Sequence, residues 1–198
     1  MKQTTKRNEL IQAGREIIVR QGFNAAGLSS ILTTADVPKG SFYYYFKNKE
    51  EFGLAIIEDF AAEYQLKLQK TVNNHQLSPL QRLNSYFAAG QAEMEACKCV
   101  NGCLIGNLAQ ELAAQSNVFR DRLDQIFSEW EAQIAQCLEA GQNAGEISTD
   151  INPTKLAQVI LAGWQGAILR SKVAQSTAPM QIFVETLFHH ILGKSTAS

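Results

Sequence analysis

An all-helical fold is predicted for this 198-residue chain by three features of its sequence. Apolar residues return at three- and four-residue intervals along most of its length, all four prolines fall where one such run gives way to the next, and stretches of alternating β-branched residues are few. A hydrophobic content of 45% is enough for a substantial core. The length exceeds one typical compact unit and allows a small domain of about 50 residues followed by a larger one. No apolar run approaches the roughly 18 residues of a membrane span. The N-terminal Met-Lys-Gln-Thr-Thr-Lys-Arg lacks the apolar segment of a secretion signal, so a cytoplasmic protein without a membrane partner is expected.

The first helix follows Thr4 or Thr5, with Leu10, Ala13, Ile17 and Ile18 at helical spacing and Gly22 where a C-terminal cap would sit. A second, short helix spans about 28–35. Asp36-Val37-Pro38 interrupts it, because aspartate accepts turn conformations and the residue before proline is pushed out of the α region. Pro38 opens a third helix reaching to about Phe46. Asn48 then caps a long fourth helix with Glu51 three positions on, and Phe52, Ile56, Phe60 and Tyr64 share one face.

Ser78-Pro79 opens a fifth helix, with Gln81 completing a capping box and Leu80, Leu83, Phe87 and Met94 on one side. A sixth helix is expected from Asn101 through Leu112. The seventh carries a continuous stripe from Phe119 through Leu123, Ile126, Phe127, Trp130 and Ile134 to Leu138, and Gly141 and Gly145 end it. Asn152-Pro153 starts an eighth helix rich in Ala and Gly, and Pro179 a ninth. Their wide apolar faces and small residues suit close approach of helices. A homodimer interface through the last two helices is expected, the alternative being that both helices complete the core of one chain.

Two short helices joined by a tight turn and preceded by a longer one make a helix-turn-helix, with the third helix as reader. Charge agrees with geometry. Residues 1–50 hold eight Lys or Arg against four Asp or Glu, and the remainder ten against fifteen, so a basic head sits on an acidic body despite a net charge of −1. Basic groups around residues 38–51 would hold phosphates while tyrosine edges face bases. The competing reading of that stretch is a surface helix with an aromatic core face. The expected division is a DNA-binding domain over 1–50 and a sensing and dimerisation domain over 51–198.

Gly22-Phe23, Leu28-Ser-Ser-Ile-Leu and Val37-Pro-Lys-Gly-Ser-Phe-Tyr-Tyr-Tyr-Phe-Lys-Asn-Lys-Glu resemble the N-terminal domain of TetR-type transcriptional regulators over about residues 5–55. The resemblance implies a DNA-binding repressor, no enzyme, acting on a double-stranded inverted-repeat operator and released by a small-molecule inducer. It places Lys39, Gly40 and Ser41 at the start of the recognition helix and Tyr43, Tyr44 and Tyr45 along it, with Ser29 and Lys49 on phosphates. Phe42 and Phe46 have core spacing. Gly27 and Asp36 depart from the family, which often has threonine and glycine there; glycine still caps and aspartate tolerates left-handed geometry.

Cys97, Cys99 and Cys103 lie within seven residues, which in a cytosolic chain points to redox or metal chemistry rather than a structural disulfide. Cys137 lies beside the stripe of the seventh helix and reads as a core residue. If Asn101 caps the sixth helix, Cys103 falls in its first turn, where amide dipoles favour a thiolate, and Lys172 or Arg170 of the eighth helix could add positive charge. Gly102-Cys103-Leu104 and Leu169-Arg-Ser-Lys172 are similar to the TetR subgroup that includes the N-ethylmaleimide reductase repressor, which implies sensing of electrophiles or oxidants. The alternative is a reversible ligand in an apolar pocket lined by Phe87, Met94, Phe127 and Trp130. His75, His189 and His190 are far from the thiols in sequence, so neither a metal site nor a cofactor is expected. A cysteine-dependent helical enzyme and a protein-binding adaptor are the rival functions; both leave the basic, tyrosine-rich head unexplained.

Overall fold

The periodicities become nine α-helices among the described residues of the computed structural model, which covers residues 2–192, with side chains from Lys6 onward. The end of the expected body, 193–198, lies outside them. The chain forms two compact units, one of residues 1–63 and 103–123, the other of 64–102 and 124–198.

In the first unit α1 (Lys2–Gln21) begins before Thr4. It stops at Gly22, whose φ of +86° is left-handed and whose amide donates to the Ile18 carbonyl at 2.8 Å. Gly27 caps α2 (Leu28–Thr34) from an extended conformation without a side-chain bond. Asp36 makes the turn at φ +50°, and a single 3-10 turn, Lys39–Ser41, leads into α3 (Phe42–Tyr45). The Asn48 side chain accepts from the Glu51 amide at 2.7 Å and Glu51 accepts from the Lys47 amide at 2.8 Å, which fixes the start of α4 (Lys49–Lys70). Phe42, Phe46 and Phe52 are all buried, with ring centroids 4.9 to 5.6 Å apart. Residues 103–123 complete this unit with α6 (Leu104–Leu112) and the start of α7 (Asn117–Asn143), where Phe119 meets Phe23 edge-on at 5.2 Å.

The second unit holds the remainder of α4 and α7 together with α5 (Pro79–Ala96), α8 (Pro153–Ala174) and α9 (Ala178–Thr186). Gln81 accepts from the Ser78 amide at 3.0 Å, and Asn152 accepts from the Lys155 amide at 3.1 Å, the two N-terminal caps that the sequence predicts. The ninth helix differs from its even periodicity: after Thr186 it widens into a π turn over Leu187–Ile191. Its centre is aromatic, with Phe87 edge-on to Trp164 at 4.9 Å and to Phe183 at 5.9 Å.

Gly90 lets α5 approach the ring of Trp164, since a Cβ there would lie 2.7 Å from the indole Cζ2. Gly90→Ala therefore overpacks the centre of this unit and should cost about 1–3 kcal/mol, read as a lower midpoint in thermal unfolding.

Candidate nucleic-acid interface and sensor segment

The turn between α2 and α3 brings Ser29 and Lys39 to one open depression of about 600 Å³, lined also by Leu32, Thr33, Asp36, Val37 and Pro38. Both residues are exposed. Along the next turn exposure divides the aromatics: Tyr43 and Tyr44 are each 68% exposed, whereas Phe42 and Phe46 are each 1% exposed. The core-face reading therefore holds for the phenylalanines and not for these two tyrosines. Tyr45 is half-buried and meets Tyr44 edge-on at 5.1 Å. A Cβ on Gly40 would meet nothing within 4 Å, so the backbone at the start of this segment is open to a partner, while Ser41 beside it is half-buried.

Lys49 stands apart from this group. Its ammonium donates to the Asn24 carbonyl at 3.3 Å and lies 4.8 Å from the centre of the Phe23 ring. Burial pulls its pKa below the usual lysine value, against the opposing charge of Glu111. Glu111 is the residue that the sequence reading missed: its two carboxylate oxygens accept the backbone amides of Phe23 and Asn24 at 2.8 and 2.7 Å. With 87 and 88 positions between the partners, no local pattern announces this contact.

The cysteine segment departs from expectation in one respect. Residues 100–103 do not enter a helix at Asn101; Gly102 is left-handed at φ +70°, and α6 begins at Leu104 with Cys103 as its extended N-cap residue. Cys103 is therefore at the cap rather than in the first turn, and its carbonyl accepts from the Asn107 amide at 2.9 Å. Cys103 is half-buried and belongs to the first unit; Cys97, Cys99 and the half-buried Lys172 belong to the second. Lys98 and Cys99 are consecutive left-handed residues at φ +52° and +58°, a costly conformation for side chains other than glycine. Burial, and then Cys97 and Glu95, push the Cys99 thiol up. Burial pushes the Cys137 thiol up to about 11, as suits an inert core position. Among the described residues no group of three or more His, Cys, Asp or Glu could hold a metal ion, and no helix is long and apolar enough to cross a membrane.

Of the expected pocket residues, Phe87, Met94 and Trp130 are buried and Phe127 is half-buried. The three aromatic ones belong to one chain of ring contacts. Phe127 meets Trp130 at 5.8 Å, Trp130 stacks on Tyr64 at 4.0 Å, Tyr64 meets Tyr86 at 6.4 Å, and Tyr86 meets Phe87 at 5.2 Å. The Tyr64 and Tyr86 hydroxyls lie 2.6 Å apart beside Lys67, which is paired to Glu93 at 2.7 Å. This polar spot in an apolar wall lies outside the four residues expected from sequence.

Two short helices set as α2 and α3 are, with Lys39 exposed on the turn that leads into the second and Tyr43 and Tyr44 exposed along it, define a DNA-binding regulator of the helix-turn-helix class. Comparison with known proteins narrows this. Residues 10–56 match the model of bacterial regulatory proteins of the tetR family, and residues 79–187 match the tetracyclin repressor-like C-terminal domain. The chain is 35% identical to the HTH-type transcriptional repressor DhaR of Mycobacterium sp. (strain GP1), covering 97% of this chain and 95% of that one. It is 37% identical to the transcriptional regulator AcuR of Cereibacter sphaeroides, covering 94% and 85% respectively. The crystal structure of reduced Escherichia coli NemR superposes with a TM-score of 0.89 at 30% identity, covering 97% of this chain and 99% of that one. The chain thus belongs to the TetR family of transcriptional regulators, which are not enzymes, bind operator DNA and small-molecule ligands, and act as dimers.

Lys39→Ala should weaken operator binding across all sequences and lower the steepness of its salt dependence by about one. Tyr44→Ala, at an exposed position, should weaken binding with the helical circular dichroism unchanged. Gel-shift titration over a salt series reads both; unchanged affinity in the two variants would contradict the assignment of this face to DNA.

Proposed function

We propose that this protein is a dimeric repressor whose two short reading segments enter successive major grooves of an inverted-repeat operator, about 34 Å apart. The observation that carries this is the split between exposed Tyr43 and Tyr44 and buried Phe42 and Phe46. Lys39, Gly40 and Ser41 meet the backbone at the start of the segment, Tyr43, Tyr44 and Tyr45 lie along the groove, and Ser29 takes a phosphate. Lys49 joins them when its flexible stem turns from Asn24 to a phosphate, a stronger partner for a cation than a carbonyl. The repressive sign follows DhaR and NemR, both named as transcriptional repressors.

The homodimer forms through the last two helices. Val159, Leu169 and Val173 on α8 and Ile182 on α9 are exposed apolar side chains, and pairing both helices with those of a second copy would cover them in a four-helix bundle. Dimerisation is what makes the spacing of the reading segments a regulated quantity. An inducer must favour one state of the body by on the order of 5 kcal/mol for a near-complete shift.

The inducing chemistry we assign is modification of Cys103 by a small electrophile or oxidant. The thiol sits at the N-cap of α6, where the peptide dipoles favour negative charge, whereas burial pushes Cys99 and Cys137 away from the thiolate. The second reading, a reversible apolar or oxygen-bearing ligand met also by the buried Met94, is favoured by the aromatic wall from Phe127 to Phe87, with the Tyr64 and Tyr86 hydroxyls as polar anchors.

Cys103→Ser separates the two. With N-ethylmaleimide the Cys103 sulfur bonds to an alkene carbon while a proton adds to the neighbouring carbon, so no oxidant is consumed. The wild type should then leave operator DNA and the serine variant should stay bound. Release of both proteins alike would place sensing elsewhere.

A further inference from the structure

The turn between α1 and α2 leaves the backbone amides of the buried Phe23 and the exposed Asn24 outside any helix, and each needs an acceptor. Glu111, near the C-terminus of α6, supplies both acceptors: Oε2 takes the Phe23 amide at 2.8 Å and Oε1 the Asn24 amide at 2.7 Å. The approach is close enough that a Cβ on Gly22 would lie 2.9 Å from Glu111 Oε2. Gln115, one turn on, accepts from the Asn24 side chain at 3.1 Å and donates to the Glu111 carbonyl at 2.7 Å. On the other side Lys49 donates to the Asn24 carbonyl. Asn24 is thus held by an anion through its amide and a cation through its carbonyl, and hydrogen bonds to an ionised partner are roughly twice as strong as neutral ones.

We propose that Glu111 is a positioning residue for operator binding: its carboxylate fixes the turn from which α2 departs four residues later, and with it the whole helix-turn-helix. Eight residues separate Glu111 from the Cys103 cap, about 12 Å of one short rigid helix. A change at that cap therefore reaches the DNA-reading turn by displacing the carboxylate; this part rests on the assignment of Cys103 as the modified thiol.

The test uses the full-length protein and a duplex selected from a random library by the wild type. Glu111→Ala should bind that duplex at least tenfold more weakly, with amide hydrogen exchange accelerated over residues 22–28 and the helical circular dichroism retained. Glu111→Gln keeps one acceptor oxygen and should fall between, with exchange accelerated at one of the two amides. A merely structural contact elsewhere would not move exchange at these positions. Wild-type affinity and wild-type exchange in the Ala variant would overturn the proposal, as would the same result in the Gln variant if the Ala variant does not fold. N-ethylmaleimide on the wild type should also accelerate exchange over 22–28, and on Cys103→Ser it should not. If the reagent leaves wild-type exchange unchanged while Glu111→Ala loses affinity, the route from Cys103 is overturned and the positioning role stands.

Discussion

The packing of Phe42 and Phe46 against Phe52 is the interaction on which the exposed face of the helix-turn-helix depends. The segment carrying Lys39 to Tyr45 is one 3-10 turn followed by four α-helical residues. A helix that short has no independent stability, since nucleation costs more than one turn of hydrogen bonds returns. Its geometry is set by two phenylalanines lodged on a third at the start of α4, each pair of rings within 5.6 Å. The same anchoring turns Tyr43 and Tyr44 outward. Burial at positions 42 and 46 and exposure at 43 and 44 are one arrangement seen from its two sides.

A second constraint acts on the same surface from a remote part of the chain. The α6 helix packs within the compact unit that contains the helix-turn-helix, and Glu111 binds both backbone amides of the turn after α1. The head is thus built from two stretches of sequence, one of which begins at a cysteine. Under the proposed sensing by Cys103, that would give a short physical route from a chemical signal to the orientation of the reading helix. In the other unit Trp130, Tyr64, Tyr86, Phe87 and Trp164 form a continuous run of ring contacts.

Much of this was legible in the residues themselves, because the informative signals were local. Gly22, Asp36, Asn48, Ser78-Pro79 and Asn152-Pro153 each fix a boundary through their own backbone chemistry, and each stands where the sequence puts it. The start of α6 was not: Asn101 is a good capping residue, but left-handed Gly102 follows it, and the extended Cys103 takes the cap instead. The π turn at the end of α9 was hidden because widening a helix leaves the apolar spacing almost unchanged. Glu111 was invisible for a third reason. A carboxylate that caps a turn about ninety residues away looks, in sequence, like any other solvated glutamate.

The central claim is that two copies of one short aromatic-anchored segment read DNA together. Footprinting the intact protein on the DNA flanking its own gene tests it most directly. Two protected half-sites in inverted repeat, centred one helical turn or a multiple of it apart, are the predicted result. A single protected half-site, or protection that follows no symmetry, would contradict it.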